Sequence, residues 1–238
     1  MGQHLAVTAI MSAFFNARPP LPRYEVTWDV DLVLRYIVSL GANTHLALRQ
    51  LMLKMTMLLA LACAGRSSDL RALNISYMRL EEDKVSFSLG QLTKSRRKGK
   101  PPIRLDFVSF EDNPLLCVLS TLQVYLERTE LFRKRTDLSR TQLLLSFVEP
   151  HKPVVSCTIA GWLVRMMKEA GLDTSEFRAH STRGASTSKA EAMGLSCKEI
   201  LNMAKWSKIS TFYKHYRKQI VKKALPASAN FGNTVLSS

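Results

Sequence analysis

The stretch from Leu46 to Gly65, LALRQLMLKMTMLLALACAG, constrains the fold more than any other part of the chain. Its second half, Met55 to Gly65, is almost uninterruptedly apolar and lies between Lys54 and Arg66. A helix with one apolar stripe needs cover on one side, whereas a helix that is apolar all round needs cover all round. A bilayer span takes about 20 apolar residues, so this run is too short to cross one. It predicts a buried helix at the centre of a soluble domain. The chain can supply the wrapping: 46% of its 238 residues are hydrophobic, enough for a sizeable core in one domain of ordinary size.

The elements around that helix follow from punctuation and period. Asn16 to Tyr24, NARPPLPRY, is a proline-rich connector, extended because each proline disfavours helix in the residue before it. The stub ahead of it is too short to be a domain. TWDVDLVLRYIVSL then predicts a helix with Thr27 as N-cap and Gly41 as its stop, and Asn43-Thr44 opens the next. From Ala72 to Phe107 the period changes to alternation in LNISYMRL, KVSFSLGQL and PIRLDFV, a three-stranded antiparallel meander. Its second connection, TKSRRKGKPP, is long and basic. Helical spacing returns in PLLCVLSTLQVYLERTELFR, in SCTIAGWLVRMMKEAGL and from His180 onward, with QLLLSFVEPHKPV as a short strand or extended loop between. The fold class is α+β, mostly α-helical with one small three-stranded antiparallel sheet. The expected organisation is a stub and linker over residues 1–24, a domain over 25–225, and a small, polar, mobile tail over 226–238.

Charge indicates the partner. Thirty-four Lys and Arg against nineteen Asp and Glu give +15. A field of that sign concentrates polyanions, and double-stranded DNA is the leading candidate, bound with strong salt dependence. An anionic membrane would require an amphipathic anchor that the sequence lacks. The N-terminus has an apolar stretch but no basic segment ahead of it, unlike a signal peptide. Cys63, Cys117, Cys157 and Cys197 are scattered singly without metal-ligand spacing, and are read as buried free thiols of a reducing, intracellular compartment.

Several polar residues are candidates for chemistry. Arg66 follows the buried helix and a glycine, placed to grip a phosphate with its planar fork, and Asp69 three residues on is placed to orient it. Taken alone, Arg66 would be an ordinary surface arginine. Lys94 sits at a strand end. Arg96, Arg97, Lys98 and Lys100 form a basic turn able to hold phosphates as point charges. His180 and Arg183 share one helix face a turn apart, at a helix start whose amides favour an anion. Trp206 alone would be a core residue, and Tyr213 and Tyr216 alone would be surface aromatics.

The order of these residues is more specific than any one of them. Arg, then Lys on a hairpin, then His-x-x-Arg, then Trp, then Tyr resembles the tyrosine recombinase (lambda-integrase-like) family over roughly Trp28 to Lys218. GRSSDLRALNIS is similar to the family's first-arginine box, HSTRGASTSKAEAMGLSCKEILNMAKW to its second box, and WSKISTFYKHY to its nucleophile segment. The wording is closest to recombinases of eukaryotic mobile elements, the DIRS-like and crypton-like group.

The resemblance implies roles. Arg66 and Arg183 would hold the scissile phosphate, with His180 and Trp206 beside them. Lys94 would protonate the leaving 5′-oxygen, and a tyrosine would form a 3′-phosphotyrosyl intermediate, without metal or other cofactor. Many members place that tyrosine nine residues after the His/Trp position, which here is His215. The mobile-element pattern Ser-Thr-Phe-x-x-x-Tyr selects Tyr216 over Tyr213. The family's N-terminal helical clamp domain has no counterpart beyond the stub. RKQIVKKAL would continue as a short C-terminal helix that docks into a neighbouring subunit. The implied assembly is a tetramer on DNA from weakly associating or monomeric free protein, acting in the nucleus if the source is a eukaryotic mobile element. A DNA-binding module without chemistry, and DNA relaxation of the type IB topoisomerase kind, remain open.

Overall fold

A computed structural model describes residues 4–18, 25–90, 102–134 and 141–221. The order of elements is α1 (Leu5–Ala17), β1 (Val26–Trp28), α2 (Val30–Ser39), α3 (Leu48–Ala62), α4 (Ser67–Arg71), β2 (Met78–Leu80), β3 (Lys84–Ser88), β4 (Arg104–Val108), α5 (Val118–Lys134), α6 (Ser156–Glu169), α7 (Ser181–Ala192), α8 (Cys197–Ala204), α9 (Ile209–His215) and β5 (Gln219–Val221). Short 3-10 turns lie at Asn43–His45 and Ile75–Tyr77.

The apolar run forms α3, and every residue from Leu51 to Leu61 is buried. Helices α5, α6 and α7 pack around it, which is the all-round cover such a surface requires. One contiguous core joins Trp28 and Val33 to Phe87, Leu122, Trp162 and Phe177. Lys54 is buried within α3, and its Nζ has no hydrogen-bond partner among the described residues. Burial without an opposite charge lowers its ammonium pKa to about 8.

The three-stranded sheet has the order β2-β3-β4, antiparallel throughout. Val85 faces Phe107 and Phe87 faces Leu105 toward the core, while Ser86 pairs with Asp106 on the opposite face. The expected first strand is shorter than its alternating pattern, because Asn74 to Tyr77 turn first and the Asn74 side chain accepts from the Ser76 amide at 2.8 Å. Gln142 and Leu145 make isolated β-bridges to Asn74 and Pro153, and the Tyr125 hydroxyl of α5 donates to Leu143 O and accepts from the Leu145 amide.

Several boundaries differ from expectation. Thr27 is not an N-cap; it lies in β1, and Asp29 caps α2 by accepting from the Asp31 amide at 3.0 Å. Asn43 and Thr44 open a 3-10 turn rather than the long helix, which starts at Leu48. Residues 217–221 do not continue as the expected helix, and the rest of that segment lies outside the described residues. Residues 219–221 form β5, which pairs in parallel with β1, Val26 opposite Gln219 and Trp28 opposite Val221. Beta propensity in Gln-Ile-Val and an available edge at β1 override the local helical preference. All four cysteines are free, but only Cys63 and Cys117 are buried; Cys157 and Cys197 are exposed on the first turns of α6 and α8. The expected tail, 226–238, lies outside the described residues, as does most of the proline-rich connector. No helix among the described residues is long and apolar enough to cross a membrane.

Candidate active site

The first side of the site is built where α3 ends. Ala64 takes a positive φ of 45°, and Gly65 follows where a Cβ would stand 2.7 Å from the Cys63 sulfur. This tight turn places Arg66 at the start of α4 as its N-cap residue. The Asp69 carboxylate accepts from the Arg66 backbone amide at 3.0 Å, and the same oxygen lies 4.0 Å from Arg66 Nη1.

The second side is α7, which is lined with small residues from Ser181 to Ala192 and buried along most of its length. Small side chains let it approach α3 closely, and the Ser186 hydroxyl donates to Leu61 O at 2.5 Å. Trp28 Nε1 donates to the Ser181 hydroxyl at 2.9 Å, fixing the start of α7 to β1. His180 precedes this helix and is exposed. Arg183 is 3% exposed. Its Nη2 donates to Ala204 O at 2.6 Å, and its Nη1 lies 3.9 Å from the Asp69 oxygen that also faces Arg66. One carboxylate therefore sits between two guanidiniums. Burial and then the Arg66 charge bring the Arg183 guanidinium down to about 10, which leaves it charged at neutral pH.

The third side comes from α8, α9 and the residues after them. Ser196 and Glu199 cap α8 reciprocally, and Lys205 ends it in the left-handed region. Trp206 follows, its ring stacked on Tyr216 with centroids 4.6 Å apart. Arg183 lies over both rings, 4.8 Å from Trp206 and 5.5 Å from Tyr216. The His180 and Tyr216 rings are 5.9 Å apart. Phe212, with Ile200, Ala190 and Tyr216, forms a small second core under this segment.

Tyr216 is held to α7 through its backbone. The Ser188 hydroxyl donates to Tyr216 O at 3.0 Å and accepts from the Lys218 amide at 3.0 Å. Gly184 faces this segment: a Cβ there would stand 3.7 Å from Tyr216 O, an ordinary van der Waals contact. Tyr213 points elsewhere: it is 47% exposed, with its hydroxyl 3.1 Å from Cys197 Sγ and Arg217 over its ring. The hydrogen bond with Cys197 raises its pKa above the ordinary phenol value. His215 ends α9 at ring distance 6.5 Å from Tyr216.

Arg66, Asp69, His180, Arg183, Trp206 and Tyr216 thus converge, from residues far apart in sequence. Among the described residues three buried polar atoms within the cluster have no hydrogen-bond partner: Asp69 Oδ1, Arg183 Nε and Trp206 Nε1. Such orphans each cost about 1–3 kcal/mol, and they concentrate where a polar ligand binds. Two of the three, Arg183 Nε and Trp206 Nε1, are donors, and with the Arg66 guanidinium across Asp69 they make an arrangement suited to an oxyanion. A small cavity of about 10 Å³ lies beneath them, bordered by Asp69 and Arg183 on one side and by Leu89 and Ile103 on the other. Lys94, Arg96, Arg97, Lys98 and Lys100 lie outside the described residues. Their flanks do not: the Leu89 amide donates to Ile103 O at 2.8 Å at the border of this cavity. Among the described residues no group of three or more His, Cys, Asp or Glu side chains is placed to hold a metal ion.

Sequence reasoning missed Gly184, Ser188 and Lys205. The run of small residues in GASTS signalled a close approach on α7, but not its partner.

Residues 37–222 match the phage integrase family. No curated protein matches the chain. Among solved structures, it is similar to the XerH site-specific recombinase bound to difH substrate in a pre-cleavage complex, with a TM-score of 0.58 and 14% identity, covering 82% of this chain and 51% of that one. It is similar to the XerA recombinase, with a TM-score of 0.56 and 18% identity, covering 89% and 67%. It is also similar to the Tn1549 transposon integrase in complex with transposon right-end DNA, with a TM-score of 0.55 and 15% identity, covering 83% and 62%. This chain therefore spans about half to two thirds of the length of those proteins. At such identities the likeness is one of fold: mostly helical with a small three-stranded antiparallel sheet.

Proposed function

The chain belongs to the phage integrase family, and on that premise we propose that it is the catalytic domain of a site-specific DNA recombinase acting through Tyr216. The observation that carries this reading is the stacking of Tyr216 on Trp206, over Arg183, beside three orphaned buried polar atoms. In the proposed reaction the Tyr216 phenol gives up its proton to water and its oxygen attacks a backbone phosphorus. A phosphorus–tyrosine bond forms as the bond to the 5′-oxygen breaks. Arg66 and Arg183 hold the non-bridging oxygens and stabilise the charge that develops on them, with Asp69 keeping both guanidiniums aimed. Trp206 Nε1 donates to the same group and His180 lines it. Lys94 gives its proton to the leaving 5′-oxygen. The ester conserves the bond energy, so attack by a second strand's 5′-hydroxyl reverses the step without nucleotide hydrolysis. Two guanidiniums supply the positive charge for which other phosphoryl-transfer sites use metal ions.

Double-stranded DNA is the proposed partner. Lys198, Lys208, Lys214 and Arg217 are exposed along α8, α9 and the residue after Tyr216, and the whole chain carries +15. Assembly into a tetramer is proposed to occur on DNA. The wording WSKISTFYKHY supports placement with eukaryotic mobile-element recombinases, which would put the protein in the nucleus.

A suicide DNA substrate, which loses the short fragment that would religate, tests the reading. The wild-type chain is expected to accumulate a covalent adduct, and Tyr216→Phe to form none while binding DNA nearly as well. An adduct that survives Tyr216→Phe and disappears in Tyr213→Phe would overturn the assignment. The +15 charge would equally serve a second reading, DNA binding without turnover. Salt-dependent binding with no adduct would support that reading, and metal-free relaxation of a supercoiled plasmid would instead indicate topoisomerase behaviour.

A further inference from the structure

Lys205 ends α8 with φ 52° and ψ 43°. Glycine is the residue that ordinarily ends a helix this way, because a Cβ is crowded in the left-handed region. Ala64, His151 and Lys205 are the non-glycine residues with positive φ among those described. Ala64 comes two residues before Arg66 and Lys205 one before Trp206, so two of the three flank the candidate active site. Backbone strain of this kind persists where the surrounding structure demands it, and it gathers at functional sites.

The reversal at Lys205 has a structural purpose: it turns the chain so that the Trp206 amide donates back to Leu201 O at 3.0 Å. That purpose needs the left-handed backbone but not the lysine side chain, and glycine would serve it with less strain. The side chain therefore requires its own explanation. Lys205 is exposed and borders the same small cavity as Asp69, Arg183, Leu89 and Ile103. Its charge reaches Asp106, whose carboxyl is held below its ordinary range: burial opposes this, and hydrogen bonds from Ser86 and Arg104 outweigh it. Asp106 is thus already served by Arg104 at 2.7 Å, so pairing with Asp106 does not account for the lysine.

We propose that Lys205 contacts DNA, its ammonium binding a backbone phosphate next to the one held by Arg66 and Arg183. This rests on the reading of the site as one that engages DNA. It adds a cation on the side of the site facing the sheet, where no sequence motif placed one among the described residues.

The test compares Lys205→Gly and Lys205→Arg with the wild-type chain, using thermal melts and binding to a duplex at several salt concentrations. Lys205→Gly relieves backbone strain, so it is expected to melt no lower than wild type and up to about 3 °C higher. Its plot of log K against log salt is expected to be shallower by about 0.9, the loss of one phosphate contact. Lys205→Arg should restore the slope. An unchanged slope in Lys205→Gly overturns the proposal, as does a lower melting temperature, which would make the side chain structural. Absence of DNA binding by the wild-type chain overturns it together with the DNA-engaging reading. A wild-type chain that binds DNA but forms no adduct removes only the cleavage chemistry, and the slope comparison then still decides the role of Lys205.

Discussion

The hydroxyl of Ser188 bridges the carbonyl of Tyr216 and the amide of Lys218, 3.0 Å from each. It fixes the backbone on both sides of residue 217, so α7 carries both Arg183 and the anchor of the tyrosine it would work with. Arginine and nucleophile are thereby registered within one chain.

Ser188→Ala should loosen that register. The expected result is a loss of about 1 kcal/mol in stability and a roughly tenfold slower single-turnover adduct formation, with DNA affinity nearly unchanged. Chemical denaturation and a suicide-substrate time course measure the two effects. Equal losses in binding and cleavage would place Ser188 in the DNA contact instead.

Gly184 offers a graded test of the same contact. An added methyl meets Tyr216 O at 3.7 Å, an ordinary van der Waals distance. Gly184→Ala is therefore expected to fold and to gain about 0.5–1 kcal/mol from helix propensity. Gly184→Leu should push the Tyr216 segment off α7 and abolish adduct formation while α3 and the main core stay folded.

Arg183 holds Asp69, Ala204 O and two aromatic faces at once. A lysine ammonium cannot reproduce that planar fork. Arg183→Lys should slow adduct formation about 10²–10³-fold, the typical cost of losing one transition-state donor.

Lys54 predicts an effect on stability alone. Its folded pKa, about 8, lies below the unfolded value of 10.5. Below pH 8 the folded chain bears the full cost of a buried, unpartnered ammonium. Between about pH 8 and 10.5 the unfolded state binds more protons, so this group makes stability rise with pH. Lys54→Met should add up to ~3 kcal/mol at neutral pH and remove that rise, as read by urea denaturation across the window.

Much of this molecule was legible in sequence because its signals are local or ordered. The apolar run announced α3, alternation announced β2 to β4, and the succession Arg66, His180, Arg183, Trp206, Tyr216 announced which side chains meet. What escaped notice was set by partners far away in the chain. Gln219 to Val221 looked helical in its own neighbourhood, and only β1, near the other end of the domain, made it a strand. Ser188 and Gly184 looked like filler in a small-residue helix until Tyr216 was placed against them. The left-handed turn at Lys205 has no glycine to advertise it. Cys157 sat in an apolar sequence context, yet its position on the first turn of α6 left it open to solvent.

The parallel pairing of β1 with β5 also determines how the domain responds to being pulled. Chain entering at Val26 and chain leaving at Val221 lie side by side and run the same way. Tension applied between the two ends is directed along the strands, so their hydrogen bonds are loaded together in shear rather than opened one at a time. Tyr216 lies only three residues before Gln219, upstream of that clasp. A tug on the C-terminal end is therefore met by β1 before it reaches the tyrosine.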